Sequence, residues 1–303
     1  MTLMKLLLLA LAALLTAAAA LGLRAESRDR AQAARVWAAL EALTEADPPR
    51  YDPAMVEGLP EVARRYFARA IAPGTPLHRV VRLEMEGSFI LNGTPMPMAA
   101  RQILAPPARG FVWQAGIGAG MMRFAGSDGY RRETGRETGR QAGREAGRET
   151  GREAGREESW TSFWLHGLVP LARIGGTPDH ARAAATRVMM EAIWAPATLL
   201  PQFGAEWIQT GPDSAEVRFA DAPGLEPMRL TLDAGGTPLE VVALRWTDAN
   251  PERVWRLQPF GGRVLETGLH GGFRIPVRVE MGNMWGTPEA APFFLATITR
   301  AEF

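Results

Sequence analysis

The sequence predicts a mainly β fold of the α+β class. We expect a large, curved antiparallel sheet of about ten strands in meander order, with two N-terminal helices and one central helix packed against it. Apolar and polar residues alternate along several segments, such as Val81–Leu91 and Phe273–Met281, which is typical of strands with one buried face. Short turns rich in Gly, Pro and Asn separate these segments, and the scarcity of helices between them excludes repeated βαβ units.

The composition excludes several classes of protein. The chain has 303 residues, 47% of them hydrophobic, with 34 basic and 33 acidic side chains and a formal net charge of +1. This near-neutral balance gives no electrostatic footprint for nucleic acid, so no nucleic-acid partner is expected. The absence of cysteine excludes disulfides, thiolate nucleophiles, cysteine-ligated zinc and a lipidated N-terminal cysteine.

The N-terminal part of the chain carries a long apolar segment. Leu6–Leu23 is an unbroken run of 18 uncharged residues between Lys5 and Arg24. A bilayer core needs about 17–20 such residues, whereas the core of a signal peptide has only about 7–15. We therefore predict that residues 1–30 are a transmembrane anchor or an uncleaved signal, with the membrane as a partner through residues 6–23. Small residues at 17–20 leave cleavage as the alternative.

Two rules disagree about which side of the membrane the rest of the chain occupies. Arg24, Arg28 and Arg30 follow the span and outnumber the charges before it, which would keep the C-terminal part in the cytoplasm. A short N-terminal tail followed by a long folded part is typical of an exported domain. We expect a membrane-anchored protein whose domain lies on the extracytoplasmic side.

Residues 31–303 are predicted to form a single β-rich domain. Apolar residues at helical spacing predict helices around residues 36–43, from Pro60 to Ile71, and from Pro178 to Pro196. The predicted strands are Val81–Leu91, Met96–Leu104, Phe111–Ile117, Met121–Ala125, Phe203–Gln209, Ala215–Phe219, Met228–Leu232, Leu239–Thr247, Phe273–Met281 and Phe293–Phe303. The residues from Trp255 to Gly262 are predicted to form a long loop.

A low-complexity segment interrupts this domain. Residues 131–158 repeat Gly-Arg-Glu/Gln-Thr/Ala with a period of four and contain no apolar residue larger than alanine, so they cannot bury a core. One interpretation is a charged arm for an acidic or RNA partner. The Arg and Glu charges nearly cancel, which favours a tolerated expansion in a surface loop. Outside the segment, 26 basic and 26 acidic residues remain, so the rest of the chain is neutral.

The central helix carries the most informative set of side chains. His180, Ala184, Arg187, Glu191 and Trp194 are spaced by three or four residues and so share one face of the helix. Glu191 and Arg187 are candidates for catalysis, the first as an acid or base and the second as an anion clamp. The alternative is an i,i+4 ion pair that only stabilises the helix.

Six further residues are candidates for ligand binding. They are Trp113, Met121, Trp194, Arg274, Glu280 and Trp285. Aromatic and polar residues in loops are common in binding sites, and methionine adapts to irregular apolar shapes. Packing within the core is the alternative interpretation. The histidines lack metal-ligand spacing, so neither a metal nor a cofactor is expected.

Several motifs resemble an uncharacterised bacterial family, a domain of unknown function. They are Leu59–Phe67 (LPEVARRYF), Gly110–Trp113, the stretch from Arg187 through Trp194–Pro196 to Leu199–Pro201, and Phe273–Pro276 (FRIP) with Glu280 and Trp285. The resemblance covers about residues 55–303. It implies a compact β-rich domain, often near a membrane, and no known catalytic residues. We expect the anchor to lie in the bacterial inner membrane and the domain on its periplasmic side. The outline also resembles the half-barrel of periplasmic lipoprotein carriers, by analogy of fold only.

These patterns leave three functional hypotheses. The first is a membrane-tethered domain that binds a lipid or another hydrophobic molecule on the concave face of the sheet, which requires an apolar cavity of several hundred Å³. The second is an enzyme that uses Glu191 with Arg187 in a cleft, which requires an open side on Glu191. The third is a structural envelope or interaction protein without a ligand, which predicts that the sheet encloses no cavity.

Overall fold

The computed structural model describes residues 3–106, 110–133 and 156–303, which form one sheet of thirteen strands with helices on both faces. The helices are α1 (Leu3–Glu41), α2 (Glu61–Ala70) and α3 (Pro178–Met190). The strands are β1 (Val81–Leu91), β2 (Thr94–Ala105), β3 (Gly110–Ile117), β4 (Phe124–Arg132), β5 (Glu157–Leu165), β6 (Val169–Gly175), β7 (Ala205–Gly211), β8 (Ser214–Phe219), β9 (Met228–Leu232), β10 (Pro238–Thr247), β11 (Arg256–His270), β12 (Phe273–Asn283) and β13 (Ala291–Glu302). The mainly β class, the antiparallel sheet and the placement of the helices are confirmed.

The sheet consists of two antiparallel meanders. Strands β1–β6 and β7–β13 each pair in chain order, and β1 joins β13, so the order is β6-β5-β4-β3-β2-β1-β13-β12-β11-β10-β9-β8-β7. The edge strands β6 and β7 are consecutive in the chain. Because they lie at opposite edges, the segment that connects them has to cross a whole face of the sheet.

The crossing segment contains α3 and three short 3₁₀ helices. Thr177 caps α3 by accepting a hydrogen bond from His180 N at 3.2 Å. The helix contacts both β5 and β10. In a flat sheet these strands would be eight spacings, or about 38 Å, apart, whereas 13 helical residues span about 20 Å. The sheet is therefore curved around α3, which lies on its concave face.

The sheet has more strands than the sequence predicted. The additional strands are β5 and β6, which follow the repeat, and β11, where the sequence predicted a long loop. In β11, a Cβ on Gly262 would collide with the carbonyl of Glu280 in β12, so glycine permits pairing there rather than breaking it. The edge strand β6 is exposed along most of its length, so it lacks the alternation of a half-buried strand.

One local prediction is wrong, and one helix is longer than predicted. The strand predicted at Met121–Ala125 starts at Phe124, because Gly120–Met122 form a 3₁₀ turn with Gly120 at positive φ. The apolar span and the helix predicted around residues 36–43 are a single helix, α1, since no proline interrupts them. Within the repeat, residues 134–155 lie outside the described residues. Its two ends belong to the β4–β5 pair, where Arg131 lies opposite Glu158.

The second half of α1 packs on the convex face of the sheet. The buried cluster there joins Ala33, Val36 and Leu40 to Ile103, Val112 and Trp160. Asp29 accepts hydrogen bonds from Ser162, from Trp164 Nε1 at 3.0 Å, and from Arg173 at 2.9 and 3.0 Å. Arg35 donates two further bonds to Glu158, at 3.1 and 2.7 Å. These contacts fix the helix rigidly to β5 and β6.

The first half of α1 projects from one end of the sheet, which we call the span end. This end carries the β1–β2, β3–β4 and β5–β6 turns. Gly22 lies against the last of them, since a Cβ on it would be 2.5 Å from Leu168 O. Residues 3–21 extend further, over about 29 Å of helix. Among the described residues, α1 alone is long and apolar enough to cross a membrane, and none of its apolar window is buried. It fits a membrane anchor or a signal sequence.

Replacing Asp29 by asparagine should loosen the contact between α1 and the sheet. The change removes the charge that faces Arg173 and weakens the acceptor for Ser162 and Trp164. We expect the free energy of unfolding to fall by about 1–3 kcal/mol, measured by urea unfolding of the full chain in detergent micelles. The control Glu252→Gln breaks an exposed i,i+4 ion pair with Arg256 and should cost less than about 0.5 kcal/mol. Equal losses would contradict a role for Asp29 in docking.

Candidate functional site

A cavity of about 440 Å³ lies on the concave face, between α3 and the sheet. Most of its wall is aromatic or aliphatic. The apolar lining consists of Phe89, Leu91, Trp113, Ile117, Phe124, Phe163, Leu171, Ala172, Phe260, Met281, Phe293 and Phe294. Leu91 and Leu171 are exposed residues near the span end, so the cavity opens to the surface at that end of the sheet.

The side of the cavity next to α3 is charged. It is lined by Asp128, Thr161, Arg187, Glu191 and Arg245. Two of these charged residues, Asp128 and Arg245, come from strands, and the alternation of side chains along a strand explains why they face the cavity. Asp128 follows Phe124 by four residues and Arg245 follows Val241 by four, so each shares the inward face of its strand.

Arg187 is the centre of this charged side. Its Nη1 donates to Asp128 at 2.5 Å and its Nε donates to Glu191 at 2.7 Å. The guanidinium carbon lies 4.4 Å from the ring centroid of Phe111. Burial by itself would lower the pKa of Arg187, but the charges of Glu191 and Asp128 outweigh this effect and raise it. Arg187 therefore stays charged and ties α3 to β4.

Both carboxylate oxygens of Glu191 are engaged. Oε1 accepts the hydrogen bond from Arg187, and Oε2 accepts one from Gln102 Nε2 at 2.6 Å. Only 4% of the residue is exposed. An acid or base needs a free position from which to exchange a proton with a substrate. Held in this way, Glu191 is better suited to fix the end of α3 than to act as an acid or base.

Arg245 has no comparable partner. Its Nε donates to the carbonyl of Ala183 at 3.0 Å, and its guanidinium carbon lies 4.8 Å from the ring centroid of Phe260. Its Nη1 and Nη2 make no hydrogen bond or ion pair with any of the described residues. Burial lowers the pKa of Arg245 to about 10, although the charge of Asp128 opposes the shift. The result is a cation at the cavity wall with four unused N–H donors.

His180 extends the network beyond Asp128. Its Nε2 lies 3.2 Å from Thr161 Oγ1, which donates to Asp128 at 2.8 Å, and its Nδ1 lies 2.9 Å from Ser159 Oγ. Because Thr161 gives its proton to Asp128, it accepts from Nε2–H, and Nδ1 accepts from Ser159. Burial lowers the pKa of His180; Asp128 opposes this shift and Arg245 adds to it. The imidazole is therefore neutral at pH 7.

Three of the residues predicted from the sequence come together at the cavity: Trp113, Arg187 and Glu191. Trp194 lies apart from it in the core, where its Nε1 donates to Pro276 O at 3.0 Å. Met121 is 87% exposed in the β3–β4 turn. The structure thus joins the charged pair of the central helix to one of the predicted aromatic residues.

The three C-terminal candidates also lie away from the cavity. Arg274 and Glu280 occupy the convex face of β12, where Glu280 pairs with Arg263 at 3.1 Å. Trp285 is buried beyond the end of β12 and donates from Nε1 to Glu240 at 2.8 Å. Ligand-binding roles for these residues stay predictions.

Sequence reasoning missed Gln102, Asp128, Thr161 and Arg245. A signal existed for Arg245, because in the predicted strand Leu239–Thr247 it occupies an inward position after two apolar ones. An arginine at such a position needs a partner or a cavity. For Asp128 no such signal could be read, because the strand that carries it was predicted to end at residue 125.

Comparison with known proteins identifies the family. The chain belongs to a family of unknown function, DUF6544, whose model matches residues 49–160 and 150–295. The resemblance to an uncharacterised family is therefore confirmed. A comparison with curated proteins gave no match.

Two solved structures share a general likeness with the chain. One is a domain described as an outer membrane lipoprotein-sorting protein from Vibrio parahaemolyticus, at 10% identity and a TM-score of 0.40, over 80% of this chain and 91% of that one. The other is a DUF1329 family protein from Desulfovibrio piger, at 7% identity and a TM-score of 0.39, over 74% and 85%. At these scores the likeness carries no conclusion about function.

The same substitution should destabilise the protein much more at Arg187 than at Arg245. Arg187→Met leaves the buried carboxylates of Asp128 and Glu191 without their cation, so we expect a loss of about 3–5 kcal/mol in the free energy of unfolding. Arg245→Met removes a cation that has no ion pair, so we expect a loss of less than about 1 kcal/mol, or a gain. Urea unfolding of the full chain in micelles measures both.

A second control isolates the charges as the cause. Adding Asp128→Asn and Glu191→Gln to Arg187→Met should recover part of the lost stability, because the two carboxylates that lost their cation are then no longer charged. Equal losses for the two single arginine variants would contradict the assignment of Arg187 as the residue that holds α3.

The free energy of unfolding should decrease as the pH falls below 6.5, the ordinary pKa of histidine. In that range the unfolded chain binds a proton at His180 that the folded protein binds only at lower pH, so protonation favours unfolding. The contribution to the slope fades over about one pH unit above 6.5, where neither state binds the proton. The variant His180→Asn should show a flatter decrease when Tm is followed from pH 7 downward. The control His166→Asn, at an exposed turn position with positive φ, should keep the slope of the unmodified protein. An unchanged slope in His180→Asn would refute the assignment of the pH dependence to His180.

Proposed function

We propose that the protein is a membrane-tethered binding domain that holds a hydrophobic molecule in the concave-face cavity. This proposal rests on the size, the lining and the position of the cavity. The cavity measures about 440 Å³, its wall is mainly aromatic and aliphatic, and its mouth lies at the end of the sheet from which the apolar helix projects. Ligand cavities are typically of about 300–1,000 Å³, largely apolar, with a few polar groups that fix orientation.

The surface around the mouth supports contact with a bilayer. Met121, Met122, Leu168, Val169 and Leu171 are exposed large apolar residues in the β3–β4 and β5–β6 region. The β5–β6 turn touches Gly22, at the end of the apolar part of α1. Exposed apolar patches of this kind mark interaction sites. With residues 3–21 in the membrane, these side chains and the cavity mouth lie at its surface.

The other two hypotheses gain less support. The enzyme hypothesis needs an open side on Glu191, and both its oxygens accept side-chain hydrogen bonds. The ligand-free structural hypothesis needs a filled core.

We also propose the extracytoplasmic side for the domain. Protease added to intact spheroplasts should degrade it, and protection would place it in the cytoplasm.

Photolabelling tests whether the cavity holds an apolar molecule. The full chain is reconstituted into phosphatidylethanolamine–phosphatidylglycerol vesicles with a long-chain alcohol that carries a diazirine, and adducts are mapped by mass spectrometry after illumination. We expect adducts on cavity peptides, such as those with Phe163 and Phe293, as well as on the span. The span serves as an internal reference, because its residues face the bilayer with or without a cavity.

Matched variants make the test specific. Ala172→Trp places a large ring in the cavity wall and should reduce labelling of the cavity peptides several-fold relative to the span. Ala38→Trp adds the same ring on the exposed face of α1 and should leave the ratio unchanged. Adducts confined to the span in the unmodified protein would overturn the proposed function.

A further inference from the structure

Arg245 brings donors without an acceptor to the cavity. It uses only Nε, for the bond to Ala183 O. Its four other N–H groups have no hydrogen-bond partner among the described residues. Buried donors are paired in most proteins, because an unpaired one loses its hydrogen bonds to water without replacement. The cavity therefore has unused donors where a purely apolar ligand would offer no acceptor.

The neighbouring charges show what kind of acceptor fits. Asp128 and Glu191 are both bound to Arg187, and neither carboxylate lies within ion-pair distance of Arg245, although their charges act on it from further away. Contacts with Ala183 and Phe260 hold the guanidinium of Arg245 in place. Its free edge is a planar fork of N–H groups, which matches a carboxylate with two parallel hydrogen bonds. The two nearby carboxylates would repel a doubly charged head group more strongly than a singly charged one.

The volume limits the apolar part of the ligand. About 440 Å³ accommodates roughly fifteen groups of the size of a water molecule, at about 30 Å³ each. This suits one acyl chain rather than two. The apolar lining extends from the charged side to the mouth at Leu91 and Leu171, so a chain whose head group sits at Arg245 can follow it towards the span end.

We propose that the cavity takes a long-chain carboxylic acid, with its carboxylate bound to Arg245 and its single chain directed towards the membrane. This inference rests on the proposed function and makes it specific. Arg245 is then the residue that selects the head group, while Arg187 holds the helix that closes the site.

The test compares two probes that differ only in the head group. A diazirine-bearing long-chain acid and the alcohol of the same chain are used in the vesicle experiment, and labelling of cavity peptides is divided by labelling of the span. In the unmodified protein the acid should label the cavity about tenfold more efficiently than the alcohol, as expected for a charge-assisted hydrogen bond. In Arg245→Met this preference should disappear while labelling by the alcohol persists. Arg245→Lys should retain part of it.

The outcomes separate the two proposals. Equal labelling by acid and alcohol in the unmodified protein would overturn the head-group assignment and leave the proposed function intact. Absence of cavity labelling by either probe would overturn both. If neither probe labels the cavity in Arg245→Met, Arg245 maintains the shape of the cavity. This result would also overturn its assignment as the residue that binds the head group.

Discussion

The hydrogen bonds that Arg187 donates to Asp128 and Glu191 hold the crossing helix against the sheet, and the form of the concave face depends on them. The chain leaves the sheet at one edge strand and returns at the other, so α3 has to lie across that face. Three charges in an apolar interior are tolerated only when each is paired. One arginine satisfies both carboxylates, Gln102 supplies the remaining bond to Glu191, and Phe111 covers the guanidinium. With α3 fixed in this way, the space beneath it keeps a defined shape.

The cavity is a local feature and does not reflect loose packing of the whole domain. Elsewhere on the concave face, α2 packs Tyr66 and Phe67 against Trp207 of β7, with ring centroids 5.4 and 5.5 Å apart, and Trp194 fills the space beside β12 with its N–H bonded. The side chains of Tyr66, Phe67 and Trp194 are almost fully buried there, as in an ordinary core. The cavity of about 440 Å³ lies between α3 and the span-end halves of the strands, and its polar wall carries Arg245, a cation without an ion pair among the described residues.

Much of the fold follows from the sequence, and the reasons for the failures are physical. Alternation predicted strands such as Val81–Leu91 because each has one buried and one solvated face. The same rule fails for β6, which is exposed at the sheet edge. It also fails for β11, where glycines allow the neighbouring strand to approach closely. For the site, helical spacing placed Arg187 beside Glu191 correctly. Their partners Asp128 and Gln102 come from other strands, and no local pattern reveals which strands a crossing helix will contact.

The continuity of α1 determines how the cavity can meet the membrane. A flexible linker would allow the domain to turn and carry its mouth away from the bilayer. Here one helix runs from the apolar span to Glu41, and the contacts of Asp29 and Arg35 fix it to the sheet. The mouth is therefore held at the end of the span, next to exposed apolar side chains. Under the proposed function, a ligand that leaves the bilayer at this point would reach the cavity along an apolar surface, and the unused donors of Arg245 lie on the cavity wall beneath α3. This arrangement would favour a ligand that is already in the membrane over one that arrives from water.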